Sequence, residues 1–455
     1  MEIEFVNHAS FLVRSGGVRL LVDPWFEGTV FNGGWSLLSP TRHRWEDLAD
    51  VTHLWLSHEH PDHFNTRTLG AIPADLRARV EVLYQRTVDR KIVDWCSRIG
   101  FRSVRQLEPH APWALAADFQ VTCGPMHPGD SWLRVCTPDA TLLNLNDCEI
   151  DTREQARAIR GLVGSPDVLC TQFSIAAWGG NADDPERRRA RSRFMLDRMR
   201  MQCEVFEPRF LMPFASFVWF CHEENRFMNE GVNRIDAVVA YLRENVEPQP
   251  IVLYPCDRWR VGEPMRPEPA LERYARDYAD CAARPAVSSP TVSEDELVDA
   301  SRLFVEKLRS HGGRRRMRLR LALKHYRRRR AALTRPTLRD RLGLAGILLL
   351  QRVEPSRIYV TDLKRSYLFD LDRALRPCTL PMEECDVWLA SDSLHYSFNH
   401  LWGGDTLQIN GRFREVRPES RLNLFQDFWL AKGLNAGDPL TWTGLLRSGR
   451  RRLRL

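Results

Sequence analysis

Leu54-Trp55-Leu56-Ser57-His58-Glu59-His60-Pro61-Asp62-His63-Phe64 runs from an apolar segment straight into a cluster of metal-ligand side chains. The run Leu54 to Leu56 reads as the end of a buried strand. Three histidines and one aspartate follow within six residues. Imidazole and carboxylate are the usual nitrogen and oxygen ligands of zinc, iron and manganese. Pro61 cannot continue strand pairing, so the ligands are expected on a tight loop just past the strand end. His58 and His60, two apart, share one face, while Asp62 and His63 aim at a second point. That spacing suits two adjacent metal ions. The competing reading is a polar loop that happens to be rich in histidine. Against it, the whole chain has only thirteen histidines, and three fall here.

At 455 residues the chain exceeds the usual single-domain size, so two or three domains are expected. With 43% hydrophobic and 27% charged residues, it can bury a sizeable core. A net charge of +7 is modest for this length and does not point to specific nucleic-acid binding. The most apolar run, Leu342 to Leu350, is too short for a transmembrane segment, which needs about 20 residues. Met1 to Val6 already alternates as a strand, so no targeting peptide is expected. Eleven cysteines are scattered with no C-x-x-C and no Cys-x-His pair. Neither a zinc ribbon nor a Rieske cluster is therefore encoded, and reduced thiols in a cytoplasmic setting are expected.

Along the chain, strands are expected at Met1 to Val6, Phe11 to Arg14 and Val18 to Val22, the last ending at Asp23-Pro24-Trp25. Strand and helix then alternate. Strands are expected at Phe119 to Cys123, Ser131 to Cys136, Ala140 to Asn144, Val168 to Thr171 and Ile251 to Tyr254. Helices are expected at Thr152 to Leu162, Ala182 to Met201 and Ile235 to Asn245. The Pro-, Ala- and charge-rich stretch at 263–293 reads as a linker between a domain at 1–262 and a second one at 294–455. In the second, ten of the seventeen residues from Arg314 to Arg330 are Arg or Lys. That run reads as a basic helix that binds anions or docks through its leucines. Three strands, a helix at Asp392 to His400 and a glycine-flanked strand at Gly403 to Arg412 are similar in pattern to a sterol-carrier-like module.

His58-x-His60-x-Asp62-His63, behind an apolar strand and Ser57, resembles the signature of the metallo-β-lactamase superfamily. The resemblance implies an α/β fold, an αββα sandwich, followed here by a smaller α+β C-terminal domain. It also implies further ligands from distant strand ends: His127, Asp147 and His222. One metal would be held by His58, His60 and His127. The second would be held by Asp62, His63 and His222, with Asp147 bridging. Each distant ligand has a competing reading. His127 also reads as a structural histidine beside Pro128, Asp147 as a turn aspartate, and His222 as the neighbour of a helix cap. His8, Asp23 and Glu59 are expected to support the ligands, although His8 reads equally as a core histidine. Two metal ions, iron or zinc, would bring bound water from a pKa of about 15.7 to about 7 and polarise a substrate oxygen. Asp62 and Asp147 would be the catalytic carboxylates.

Asp23-Pro24-Trp25-Phe26-Glu27-Gly28-Thr29-Val30-Phe31-Asn32-Gly33-Gly34-Trp35-Ser36-Leu37-Leu38 resembles the CMP-N-acetylneuraminate hydroxylase family. Asn146-Asp147-Cys148 and Pro213-Phe214-Ala215-Ser216-Phe217 are similar to it too. That family is an oxygenase with a Rieske domain, and this chain departs from it by having no Rieske pair. Three functions stay open. The favoured one is an oxygen-dependent non-haem di-iron hydroxylase of a nucleotide-sugar or natural-product precursor, served by an external electron donor. The second is a dinuclear-zinc hydrolase of a phosphodiester, lactone or amide. The third is a metal-stabilised binding protein. The substrate is expected to be a small molecule, with the basic run hinting at an anionic one. Trp25, Phe26, Phe31, Trp35, Trp178 and Trp219 either line its pocket or pack the core.

Overall fold

Strand His53–Leu56 is buried on both faces. Trp55 points into one apolar core, while Leu54 and Leu56 point into another. A strand covered on both sides reads as a continuous apolar run, which is why these residues carry no polar alternation. The computed structural model describes residues 1–126, 129–312 and 354–435, with positions 319, 322, 323, 326 and 337 between them. The chain divides into two compact units, Met1–Val287 and Ser288–Leu455.

In the first unit two seven-stranded sheets face each other. One runs in the order Arg258–Arg260, Glu2–Asn7, Ser10–Ser15, Val18–Val22, His53–Leu56, Glu81–Gln85, Ser103–Leu107. The other runs Gln249–Pro250, Phe210–Phe214, Val168–Gln172, Thr141–Asn146, Ser131–Cys136, Phe119–Pro125, Pro112–Ala116. Phe11 of the first sheet meets Phe214 of the second at a ring separation of 5.1 Å, so the inner faces share one core. Helix Lys91–Arg98 buries Ile92, Val93 and Cys96 against the outer face of the first sheet. Helices Arg153–Val163, Pro185–Phe206 and Ile235–Asn245 cover the second. The unit is thus the expected four-layer αββα sandwich.

The stretch expected to be a linker contains a helix, Glu268–Ala283, which lies in the first unit, and the boundary between the units falls within the stretch, after Val287. Its buried positions Ala270, Tyr274, Asp277 and Cys281 follow a helical spacing that the Pro- and charge-rich composition hides. Tyr274 stacks on Phe217 at 4.7 Å and donates to the Leu253 carbonyl at 2.8 Å. Ile251 to Tyr254, expected as a strand, is buried but irregular, and the sheet edge is Gln249–Pro250 instead.

The second unit has a five-stranded sheet in the order Ala374–Cys378, Arg365–Asp370, Ser356–Val360, Val387–Leu389, Arg414–Glu415. Helices Glu294–Gly312, Ser391–Asn399 and Leu422–Asn435 accompany it. The expected strand at Gly403 to Arg412 is a helix, Gly403–Asn410. Its glycines mark close packing rather than strand ends. A Cβ on Gly404 would lie 2.2 Å from the Phe428 Cβ, and one on Gly403 would lie 2.4 Å from the Ser397 Cα. The sterol-carrier-like pattern relied on that strand. The basic run Arg314 to Arg330 lies almost wholly outside the described residues. Among the described residues no helix is long and apolar enough to cross a membrane.

Candidate metal centre

The loop after strand His53–Leu56 folds on itself around Pro61. The His63 and Phe64 amides both return to the His60 carbonyl, at 3.0 and 2.7 Å. Asn65 then caps helix Thr66–Gly70 by accepting from the Thr68 amide at 2.9 Å. Three other loops converge on this one. The turn between the first two strands brings His8, the end of Thr141–Asn146 brings Asp147, and the entry to Ser131–Cys136 brings Asp130. Ser131 and Gln85 both donate to the Ser57 carbonyl, at 2.7 and 2.9 Å, which ties the Asp130 loop to the histidine loop. Three buried non-glycine residues at these crossings, His8, Asp23 and Asn146, hold left-handed φ angles of 44°, 38° and 50°. Such backbone is costly and persists only where the surroundings enforce it.

Three ligand groups result among the described residues. His58, His60 and Asp130 form one, His58, His63 and Asp147 a second, and His8, Asp62 and His63 a third, each with donor atoms within 4.8 Å of one another. His58 Nε2 lies 2.8 Å from His60 Nδ1 and 3.8 Å from Asp130 Oδ1. His63 Nε2 lies 3.3 Å from both Asp62 Oδ2 and Asp147 Oδ2. His8 Nε2 lies 3.3 Å from Asp62 Oδ2. Asp147 Oδ2 is also 4.0 Å from His58 Nε2, so Asp147 stands between the two outer groups.

The far sides of the rings are held by protein. Asp23, fully buried, accepts from the Ser57 amide at 2.8 Å, the Ser57 hydroxyl at 2.6 Å and the Asn146 amide at 2.8 Å. It also lies 3.0 Å from His63 Nδ1, and Ser57 Oγ lies 2.9 Å from His58 Nδ1. A carboxylate accepts only, so His63 carries its proton on Nδ1 and turns Nε2 toward Asp62 and Asp147. Burial alone would push His63 down and Asp62 up. The facing charges outweigh it: Asp62 and Asp147 hold His63 well above the usual imidazole range, and His63 and His8 hold Asp62 well below the usual carboxylate range. Asp62 Oδ1, buried in the cluster, has no hydrogen-bond partner, and His63 Nε2 has only the two carboxylates at 3.3 Å before it. An unpartnered carboxylate oxygen and an imidazole nitrogen facing converging carboxylates fit a bound cation, whose charge would satisfy them.

Residues 2–111 match the beta-lactamase superfamily domain. The first unit is thus similar in sequence to this superfamily over residues 2–111. The chain is 24% identical over 251 residues to the cytidine monophosphate-N-acetylneuraminic acid hydroxylase of Danio rerio, covering 50% of this chain and 40% of that protein. It is 27% identical over 254 residues to a Mycolicibacterium smegmatis protein described as a Rieske 2Fe-2S iron-sulfur protein, covering 50% and 46%. The chain thus spans less than half the length of each relative. The sequence similarity of the first unit is to hydroxylase-like proteins of this kind. Among solved structures, CmlA, a diiron beta-hydroxylase from Streptomyces venezuelae, is 17% identical, with 57% and 54% of the chains covered and a TM-score of 0.39. An isothiocyanate hydrolase from Delia radicum gut bacteria is 12% identical, with 57% and 99% covered and a TM-score of 0.42.

In the first unit the expected ligands His58, His60, Asp62, His63 and Asp147 come together. His127 lies outside the described residues. His222 enters none of the three groups among the described residues. It packs by the Phe31–Gly34 turn, where a Cβ on Gly33 would meet its ring at 3.9 Å, and the Glu224 amide donates to its Nδ1 at 3.2 Å. His8, expected only as a support, stands in a ligand position. Glu59, also expected as a support, faces Lys91 at 3.7 Å. Asp130 was not expected at all. Its one signal is an acid directly ahead of an apolar strand, Asp130-Ser131-Trp132-Leu133.

Proposed function

We propose that this chain is an oxygen-dependent dinuclear iron enzyme that hydroxylates a small, anionic molecule. One observation carries the reading: two sets of two histidines and one carboxylate stand side by side. His58, His60 and Asp130 make one, and His8, His63 and Asp62 the other. Two histidines and one carboxylate, with positions left open, is the ligand set of non-haem Fe(II) oxygenases. Asp147, within 4.0 Å of both His58 and His63, would bridge the two irons. The relatives named as hydroxylases and as a Rieske protein support the same reading.

With two irons bound, the centre supplies the redox chemistry that activates dioxygen. The protein's own groups do the rest. Asp23 and Ser57 fix the ring orientations of His63 and His58. Phe31 lies edge-on to His60 at 5.8 Å and Trp35 lies 4.7 Å behind Phe31, an apolar wall that keeps water from one side of the centre. Hydroxylation places one oxygen atom in the substrate C–H bond and releases the other as water, consuming two electrons and two protons. The 455 residues contain no Cys-x-His pair for a Rieske cluster, so the electrons come from a donor outside this stretch. A nucleotide-activated sugar is the first substrate class to test.

Metal analysis and oxygen consumption test the reading together. The expected result is two irons per chain, a visible absorption that changes on reduction, and oxygen uptake only with substrate and reductant. Asp62→Ala should abolish both metal binding and turnover. Two zincs with oxygen-independent hydrolysis of a phosphodiester, lactone or amide would replace this reading by the hydrolase one.

A further inference from the structure

Asp147 is held from behind by a relay that begins on a helix. Gln172, the last residue of strand Val168–Gln172, donates through Nε2 to Asp147 Oδ1 at 2.8 Å. Arg198, on helix Pro185–Phe206, donates through Nη2 to Gln172 Oε1 at 3.0 Å. Gln172 and Arg198 are 5% and 6% exposed, so the relay is shielded from water. Its direction is fixed by chemistry. A guanidinium has donors only, so the amide must offer its oxygen to Arg198 and its NH2 to Asp147. The parallel register, with Asn146 beside Thr171, sets Asp147 next to Gln172 across the two strand ends.

An arginine in direct contact would be a different device. A guanidinium fork binds both oxygens of a carboxylate and neutralises it, which would withdraw Asp147 from any cation. The interposed amide spends one neutral hydrogen bond on Oδ1 and leaves Oδ2 facing His58 and His63. We infer that Gln172 and Arg198 are positioning residues that hold Asp147 through Oδ1 and would keep Oδ2 available as its ligand atom on the side of His58 and His63. This inference rests on the dinuclear reading above.

The test is an anaerobic titration of the full chain with ferrous iron, read as iron bound per chain and by Mössbauer spectroscopy, in Gln172→Met and Arg198→Met. With the Asp147 oxygens freed, the weaker iron should bind ~10- to 100-fold less tightly in Gln172→Met, the size of loss usual for groups behind metal ligands. The loss should be smaller in Arg198→Met, where the amide stays but can turn. The Mössbauer spectrum should change in both. Gln202→Leu is the control for a merely structural role. Gln202, one helical turn past Arg198, accepts from Thr171 at 2.7 Å and donates to the Ile150 carbonyl at 3.2 Å without touching Asp147. It should lower thermal stability and leave iron affinity and spectrum unchanged. Iron affinities within twofold of wild type in both methionine variants would overturn the inference. So would an equal loss of affinity in Gln202→Leu. If wild type itself binds no iron pair, the dinuclear reading fails instead.

Discussion

Asp23 Oδ2 stands 3.0 Å from His63 Nδ1, and no water reaches either side chain. This one carboxylate decides which nitrogen of His63 faces the ligand cluster. It is itself held by Ser57 and Asn146, so the His63 ring is fixed in tautomer and in plane. Asp23→Asn keeps the shape but puts an amide where His63 and Ser57 need an acceptor. The variant should bind iron ~10- to 100-fold more weakly than wild type, with little change in secondary structure. Equilibrium dialysis against ferrous iron under argon measures it. Unchanged affinity would remove Asp23 from the centre's support.

What was legible in the sequence follows from how local each feature is. The histidine loop and its strand are contiguous, so residue type and spacing were enough to place both metal-facing sides. Asp130 was not legible because it meets His58 only through the pairing of the two sheets, and no periodicity marks a lone acid before a strand. His8 reads from sequence only as a support or a core histidine, because its turn has no ligand spacing of its own. The helix at Gly403–Asn410 has the pattern of a strand because Leu407 and Ile409 alternate over a segment too short to separate a period of 2 from 3.6. The helix at Glu268–Ala283 was hidden by composition, although its buried stripe is helical.

Away from the centre, Glu4 offers a pH test of stability. It is buried among Arg14, Arg258 and His43, with His43 Nε2 at 2.9 Å. Burial opposes the charge, but His43 and Arg14 outweigh it and lower the carboxyl from 4.5 to about 2. A folded value below the unfolded one stabilises the protein above pH 4.5 and loses that contribution as the pH falls toward 2. Glu4→Gln should therefore cost about 2–3 kcal/mol at neutral pH, the linkage value of the shift reduced by partial solvation of the pocket. The gap to wild type in urea unfolding should close as the pH drops from 4.5 to about 2. A gap that stays constant to pH 2 would refute the assignment.

The glycine pair of the second unit predicts a packing cost. The Cβ of Gly404→Ala would sit 2.2 Å from the Phe428 Cβ, inside the aromatic core where Phe428 also meets Phe304 and Phe398. Overpacking of this kind costs about 1–3 kcal/mol. Gly161→Ala is the counterpart: it lies within helix Arg153–Val163 with nothing within 4 Å of its new Cβ. That change should stabilise by about 0.5–1 kcal/mol through helix propensity. Calorimetry should record shifts of opposite sign.

His8 and His222 make competing claims on the second metal position, and single substitutions separate them. His8 Nε2 faces Asp62 Oδ2 at 3.3 Å, in one group with His63. His222 packs by Gly33, and its Nδ1 lies 3.5 Å from the Glu224 carboxylate. A ligand removed takes its ion's affinity with it. A histidine that only braces a turn takes stability instead. His8→Ala should therefore lower iron from two per chain toward one, because Asp62, His63 and the shared Asp147 hold the second ion more weakly without an imidazole from His8. His222→Ala should retain both irons and melt at a lower temperature, because the turn carrying Phe31 loses its backing. Iron counts by mass spectrometry beside thermal melts give both readouts on the same samples. The reverse pattern, with iron lost from His222→Ala and kept in His8→Ala, would return the second site to the ligand set that the family resemblance implies.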